Sequence, residues 1–142
     1  MPKGIFLGFD FGMSKIGVAI GQNFTKSANP LCIIKAKQGV PDWLEIDKLV
    51  ADWKVEGLIV GIPFQLEGGE QQISLAARKF ARKLYNRYQL PVHLIDERLT
   101  TKMAKSELSE QWPITRATFE TVDDYAAKLI LEAWLRTQKE EN

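Results

Sequence analysis

No helical period occurs in the first 37 residues. Three β-rich runs follow one another instead: GIFLGFDF at 4–11, IGVAIG at 16–21 and LCIIKAK at 31–37. Runs this close in sequence pair as antiparallel neighbours, because a parallel pair needs a crossover of a dozen residues or more. The start of the chain is therefore a meander, with Gly12–Lys15 as the turn of its first hairpin and residues 22–30 as a loop or strand entry.

Helices and strands alternate only after that. Pro41 opens a helical pattern in which Trp43, Ile46, Leu49, Val50 and Trp53 share one face, and Gly57 closes it. GLIVGIP at 57–63 is a short apolar run of the kind that forms a fully buried parallel strand. Residues 73–88 read as a second helix with Ile73, Ala77, Phe80, Leu84 and Tyr88 inward, stopped by Pro91. VHLID at 92–96 is another strand, and a third helix begins near Thr100 or Thr101. Residues 112–121 read as a loop, and a last helix runs from about Val122 to Thr137. A meander followed by helical crossovers makes an α/β domain, one unit over 1–142, with a mixed sheet and helices on both faces. Ligands on such sheets bind beyond the carboxyl ends of the parallel strands.

Three acidic positions fall at that edge. Asp10 stands late in an apolar strand, with a glycine two places to either side. It is either a turn residue bonding its own backbone or a metal ligand beside which flanking glycines let a substrate approach. Asp96 and Glu97 follow the last strand, and alternation turns only one of them toward any given face. Thr121 and Asp124 have capping-box spacing, which employs Asp124 structurally, while Asp123 in the first turn is either an anion favoured by the helix dipole or, in the preferred reading, a metal ligand. Hard oxygen donors of this kind suit Mg²⁺ or Mn²⁺. Two such ions about 4 Å apart support phosphodiester hydrolysis.

Charge and composition remove other classes. The net charge of +1 gives no global basic field, so any nucleic-acid footprint must be local. One such footprint is the stretch from Ile73 to Ile95, which has no acid and carries Arg78, Lys79, Arg82, Lys83 and Arg87. It is either a solvated face or a phosphate-contacting stripe, with Lys15 and Arg98 adding charge nearer the acids. A single Cys32 and a single His93 exclude an intramolecular disulfide and a Cys/His zinc site. No run approaches the ~20 apolar residues of a membrane span, and no signal peptide is evident, so a cytoplasmic protein with no membrane partner is expected. The Asp10-Phe11-Gly12 triplet lacks every other kinase element, and no Rossmann, P-loop or nucleophile-elbow pattern occurs.

Five blocks, in order, resemble the YqgF/RuvX family: D-F-G-x-x-K-I-G-V-A-x-G at 10–21, G-I-P-F at 61–64, E-G-G-E at 67–70, D-E-R-L-T-T at 96–101 and V-D-x-x-A-A-x-x-I-L at 122–131. The resemblance implies an RNase H-like fold. Its sheet would have five strands in the order 3-2-1-4-5, the first three antiparallel and strands 1, 4 and 5 parallel. It also implies a divalent-metal nuclease that processes the 5′ end of pre-16S rRNA in ribosome biogenesis, or alternatively a resolvase of four-way DNA junctions. By position, Asp10, Glu97 and Asp123 correspond to the family's catalytic metal ligands. Lys15, Arg98, Arg78, Lys79, Arg82 and Lys83 are the residues expected on the nucleic-acid backbone. The expected partner is structured RNA, precursor rRNA or pre-ribosomal particles, with DNA junctions as the alternative. The resolvase alternative leaves room for a homodimer. A non-catalytic nucleic-acid-binding module and a nucleotide-binding phosphotransferase are the remaining readings. The phosphotransferase would need a second domain.

Overall fold

The computed structural model describes residues 4–62, 72–96 and 122–138. The strands are β1 (Ile5–Asp10), β2 (Lys15–Gln22), β3 (Ser27–Lys37), β4 (Val40–Pro41), β5 (Val55–Ile62) and β6 (Val92–Asp96). The helices are α1 (Trp43–Trp53), α2 (Gln72–Tyr88) and α3 (Val122–Thr137). The third helix expected near Thr100, the loop at 112–121, Glu97 and Arg98 lie outside the described residues.

The sheet has the order β4-β3-β2-β1-β5-β6. β1 is antiparallel to β2 and parallel to β5, and β5 is parallel to β6. The expected order is thus present, but the sheet has six strands rather than five. The additional strand, β4, is two residues long and pairs Ala36 with Pro41 and Lys37 with Val40. Its turn is Gln38-Gly39, both at positive φ (52° and 82°). Tight hairpins of this type usually advertise themselves as Asn-Gly or Asp-Gly, and Gln in the first place conceals this one. β3 also begins earlier than the apolar run suggested. Its Pro30 has no N–H for the ladder; the register with β2 shifts beside it, between Val18 and Ala19, and β3 continues back to Ser27.

The ends of α1 are set differently from the sequence expectation. Pro41 belongs to β4, and Asp42 caps the helix by accepting the Leu44 N–H at 3.1 Å. Lys54, in the left-handed region at φ 52°, stops the helix. Gly57 lies inside β5 opposite Phe6. The predicted spans of α2 and α3 agree with the structure to within a residue.

Two cores flank the sheet. On one face Leu7, Phe9, Phe11, Ile16 and Ile34 pack under Ile46 of α1 and Ala77, Phe80, Ala81 and Leu84 of α2. α1 and α2 are joined at the rim by one latch. Asp47 accepts two 2.7 Å bonds from Arg87 and a third, also 2.7 Å, from the Tyr88 hydroxyl.

The other face belongs to α3 and is floored by small residues. Along β1 the positions on this face are Phe6, Gly8 and Asp10, and their partners on β2 are Gly21, Ala19 and Gly17. A Cβ on Gly8 would lie 2.7 Å from the Leu131 Cβ and 3.2 Å from the Ala127 carbonyl oxygen. A Cβ on Gly21 would lie 2.9 Å from a Leu131 methyl. The helix backbone therefore rests almost directly on the sheet. Ala28 N–H donates to Glu132 of α3 at 3.1 Å and pins it to β3. Further down, Trp134 packs on Phe6 (centroids 5.1 Å) and stacks on His93 (4.7 Å).

Two outcomes follow from this packing. Gly8→Ala should destabilise the fold by about 1–3 kcal/mol in urea unfolding, because the added methyl overpacks a helix backbone that cannot yield cheaply. Gly4→Ala, where an added Cβ meets only the flexible Glu56 side chain, is the control. Equal costs for the two would show that α3 does not bear on β1. The second outcome concerns pH. Hydrogen bonds from Arg87, then from Tyr88, hold the Asp47 carboxyl at about 2 against an ordinary 3.8. A depressed folded pKa stabilises fully above the unfolded value and is lost as pH falls toward the folded one. Urea midpoints taken at pH 5 and pH 2.5 should therefore fall further for the wild type than for Asp47→Asn.

Candidate nucleic-acid processing site

The order of contacts fixes the direction of α3. Trp134 meets Phe6, whereas Ala127 and Leu131 meet Gly8, so α3 runs antiparallel to β1. From Ala127 back to Asp123 is four helical residues, or about 6 Å. From Gly8 on to Asp10 is two strand residues, or about 6.7 Å. The first turn of α3, containing Asp123, consequently lies at the sheet edge where β1 ends in Asp10.

Asp10 is half-buried on the α3 face, because Phe9 and Phe11 on either side of it point into the opposite core. Its partners across the ladder are Gly17 on β2 and Gly61 on β5. Neither partner has a side chain to cover the carboxylate from the flank. The glycines two places away in sequence have other uses. Gly8 admits α3, and a Cβ on Gly12 would lie 2.5 Å from the Lys15 carbonyl oxygen in the β1–β2 turn. The substrate room expected of Gly8 and Gly12 is thus taken by the protein itself.

β6 sorts its residues by parity. His93 stacks on Trp134 and Ile95 packs with the α3 core, whereas Val92 packs into the α1–α2 core and Leu94 lines a groove beside α2. His93 sits level with Ile59, well below the edge. Burial lowers its pKa below the ordinary 6.5, so it is a neutral packing residue at pH 7. Among the described residues no group of three or more His, Cys, Asp or Glu is assembled as a metal cluster.

The five basic residues expected to form one stripe on α2 have three separate placements. Arg87 is held by Asp47 and lies over the Trp43 ring at 5.3 Å. Arg78 and Arg82 line a groove with Tyr85, Asn86, Val92 and Leu94. Lys79 and Lys83 face the β3–β4 hairpin, lining a small cleft with Phe11, Gln38, Gly39 and Val40. All lie on α2, which packs on the sheet face opposite to that of Asp10. Lys15 opens β2 on the Asp10 side of the edge and is exposed.

No described helix is long and apolar enough to cross a membrane. The fold matches solved structures of Holliday junction resolvases. Thermus thermophilus RuvC, solved with a Holliday junction substrate, aligns with TM-score 0.52 at 13% identity, covering 93% of each chain. The fowlpox virus resolvase aligns with TM-score 0.50 at 12% identity, covering 94% of this chain and 98% of that one. At such identities the likeness shows the fold, which is the RuvC-like, RNase H-type α/β sheet. Closer relatives come from sequence. A Coxiella burnetii (strain Dugway 5J108-111) protein named "Putative pre-16S rRNA nuclease" is 55% identical over 137 residues, 96% of each chain. A Legionella pneumophila (strain Philadelphia 1) protein of the same name is 48% identical over 136 residues, 96% of this chain and 98% of that one. The family model described as "RuvX: Holliday junction resolvase" matches residues 4–137, and the chain belongs to that family.

Proposed function

We propose that this chain is a single-domain, divalent-metal-dependent nuclease that hydrolyses phosphodiester bonds in the 5′-end processing of pre-16S rRNA, in the cytoplasm. The observation that carries this reading is the convergence of Asp10 and the first turn of α3 at one sheet edge. Relatives at 48–55% identity named for pre-16S rRNA nuclease activity support the substrate. Asp10, Glu97 and Asp123 are the proposed catalytic ligands.

The donor chemistry fits Mg²⁺ or Mn²⁺. These are hard cations that take carboxylate oxygens and keep several waters, which needs space around each ligand. Asp10, flanked across the ladder by Gly17 and Gly61, has that space. A bound ion supplies Lewis-acid stabilisation of the charge that develops on the phosphate and lowers the pKa of water. The chain's own part is backbone placement: Asp10 ends a strand paired on both sides, and the first turn of α3 belongs to a helix seated on glycine. Lys15 and Arg98 would orient the scissile strand, and Arg78, Lys79, Arg82 and Lys83 would hold more distant phosphates.

Asp10→Asn should lower Mn²⁺-dependent cleavage of a precursor 16S rRNA fragment by more than about 100-fold, beyond what losing a supporting contact to a ligand costs. Its urea midpoint should stay close to that of the wild type. The assay is run beside a four-way DNA junction. Undiminished cleavage by the variant would sink the site. Faster turnover of the junction, with a dimer in solution, would move the substrate to DNA.

A further inference from the structure

We infer that the β3–β4 arm, led by Lys35 and Lys37, is a backbone-binding surface that carries the phosphates of a nucleic-acid strand toward the carboxylate edge. The inference rests on the nuclease reading and adds two residues to it. Ile16 and Ile34 are partners across the β2–β3 ladder and both point into the α1–α2 core. Their neighbours Lys15 and Lys35, also direct partners, must then lie on the other face, which is the face of Asp10. Lys37 is two residues on from Lys35, on the same face and about 6.7 Å further along.

Two like charges placed directly opposite one another across a ladder destabilise a sheet. The stretch of chain around Lys35 and Lys37 offers no acid to offset them. From Phe11 to Pro41 there is no Asp or Glu, although the chain carries 18 acids, and the four basic residues in that stretch are Lys15, Lys26, Lys35 and Lys37. Lys35 and Lys37 are exposed and have no ion-pair partner among the described residues. No described element covers this part of the face: Ile33, beside Lys35, is 41% exposed, and Val40, opposite Lys37, is 49% exposed.

The arm is basic behind as well as in front. Lys79 and Lys83 of α2 line the cleft of about 150 Å³ under Gln38, Gly39 and Val40. A polyanion crossing the hairpin would meet lysine on both sides, then Lys15, then Asp10. An exposed lysine pair in an acid-free stretch of chain, on the same face as the proposed metal-binding carboxylate, suits the polyanion that such a site would cut.

The test uses the full chain and a precursor 16S rRNA fragment, with EDTA present to prevent turnover. Affinity is measured against salt for the wild type, for Lys35→Gln/Lys37→Gln, and for Lys48→Gln/Lys54→Asn, which removes two charges from α1 and its cap. Each lysine that neutralises a phosphate contributes about 1 to the slope of log K against log salt. The arm variant should lose about 2 from that slope, and the α1 variant should lose none. In Mn²⁺ the arm variant should raise KM and spare kcat. An unchanged slope in a variant that still cleaves overturns the arm alone, as do equal losses in the two double variants. Wild type that binds with the expected slope but does not cleave overturns the nuclease reading and leaves the arm in place.

Discussion

The carboxyl edge of this sheet depends on how closely α3 lies against β1. A strand fixes its own residues through its ladders, but it cannot fix a group that arrives from the far end of the chain. Here the link is made by Gly8 and Gly21, against which Leu131 sits with no room for a methyl group. Close packing of this kind is stiff, because a shift of a few tenths of an ångström trades contact for overlap. The same contact that buries the helix sets the distance between the strand that carries Asp10 and the turn that carries Asp123. The Glu132 bond to the Ala28 amide then fixes the helix along its axis, at the end away from the acids.

Much of this was legible from the chain. A meander before any helix dictated the antiparallel half, and right-handed crossovers dictated the parallel half. The stripe Val122, Ala126, Leu129, Ile130, Ala133, Trp134 marked α3 over the span the structure gives it. What escaped was local and has physical causes. A two-residue strand is too short to show alternation, and its turn lacks the usual Asn or Asp. Lys54 ends α1 from the left-handed region, a conformation that its residue type does not announce. The glycines around Asp10 were visible as glycines. That Gly8 admits a helix rather than a ligand depends on a contact more than a hundred residues distant in sequence.

The basic residues of α2 show a different limit of sequence reading. Spacing of four puts Lys79, Lys83 and Arg87 on one side of the helix, and that is all spacing can say. Which of them remains available depends on neighbours from other elements. Asp47 of α1, itself held ionised well below the ordinary carboxylate range, claims Arg87 with a bidentate pair. β6 takes Arg78 and Arg82 into one groove, and the β3–β4 hairpin takes Lys79 and Lys83 into another. One apparent stripe becomes a structural latch and two surfaces, and neither surface is on the face of Asp10.

The sheet is therefore a partition, and that partition limits where substrate can lie. A rigid duplex laid along α2 alone would have the sheet between its phosphates and Asp10. A strand reaching both must pass over an edge. The carboxyl edge is the one where Asp10, Lys15 and the β3–β4 hairpin all lie, and the hairpin carries Lys35 and Lys37 on one side and meets Lys79 and Lys83 of α2 on the other. Single-stranded or locally opened nucleic acid turns such a corner cheaply, whereas smooth bending of a duplex over so short a distance is costly. On the proposed function, the placement of charge around the sheet suits a flexible leader or an opened junction better than a continuous helix.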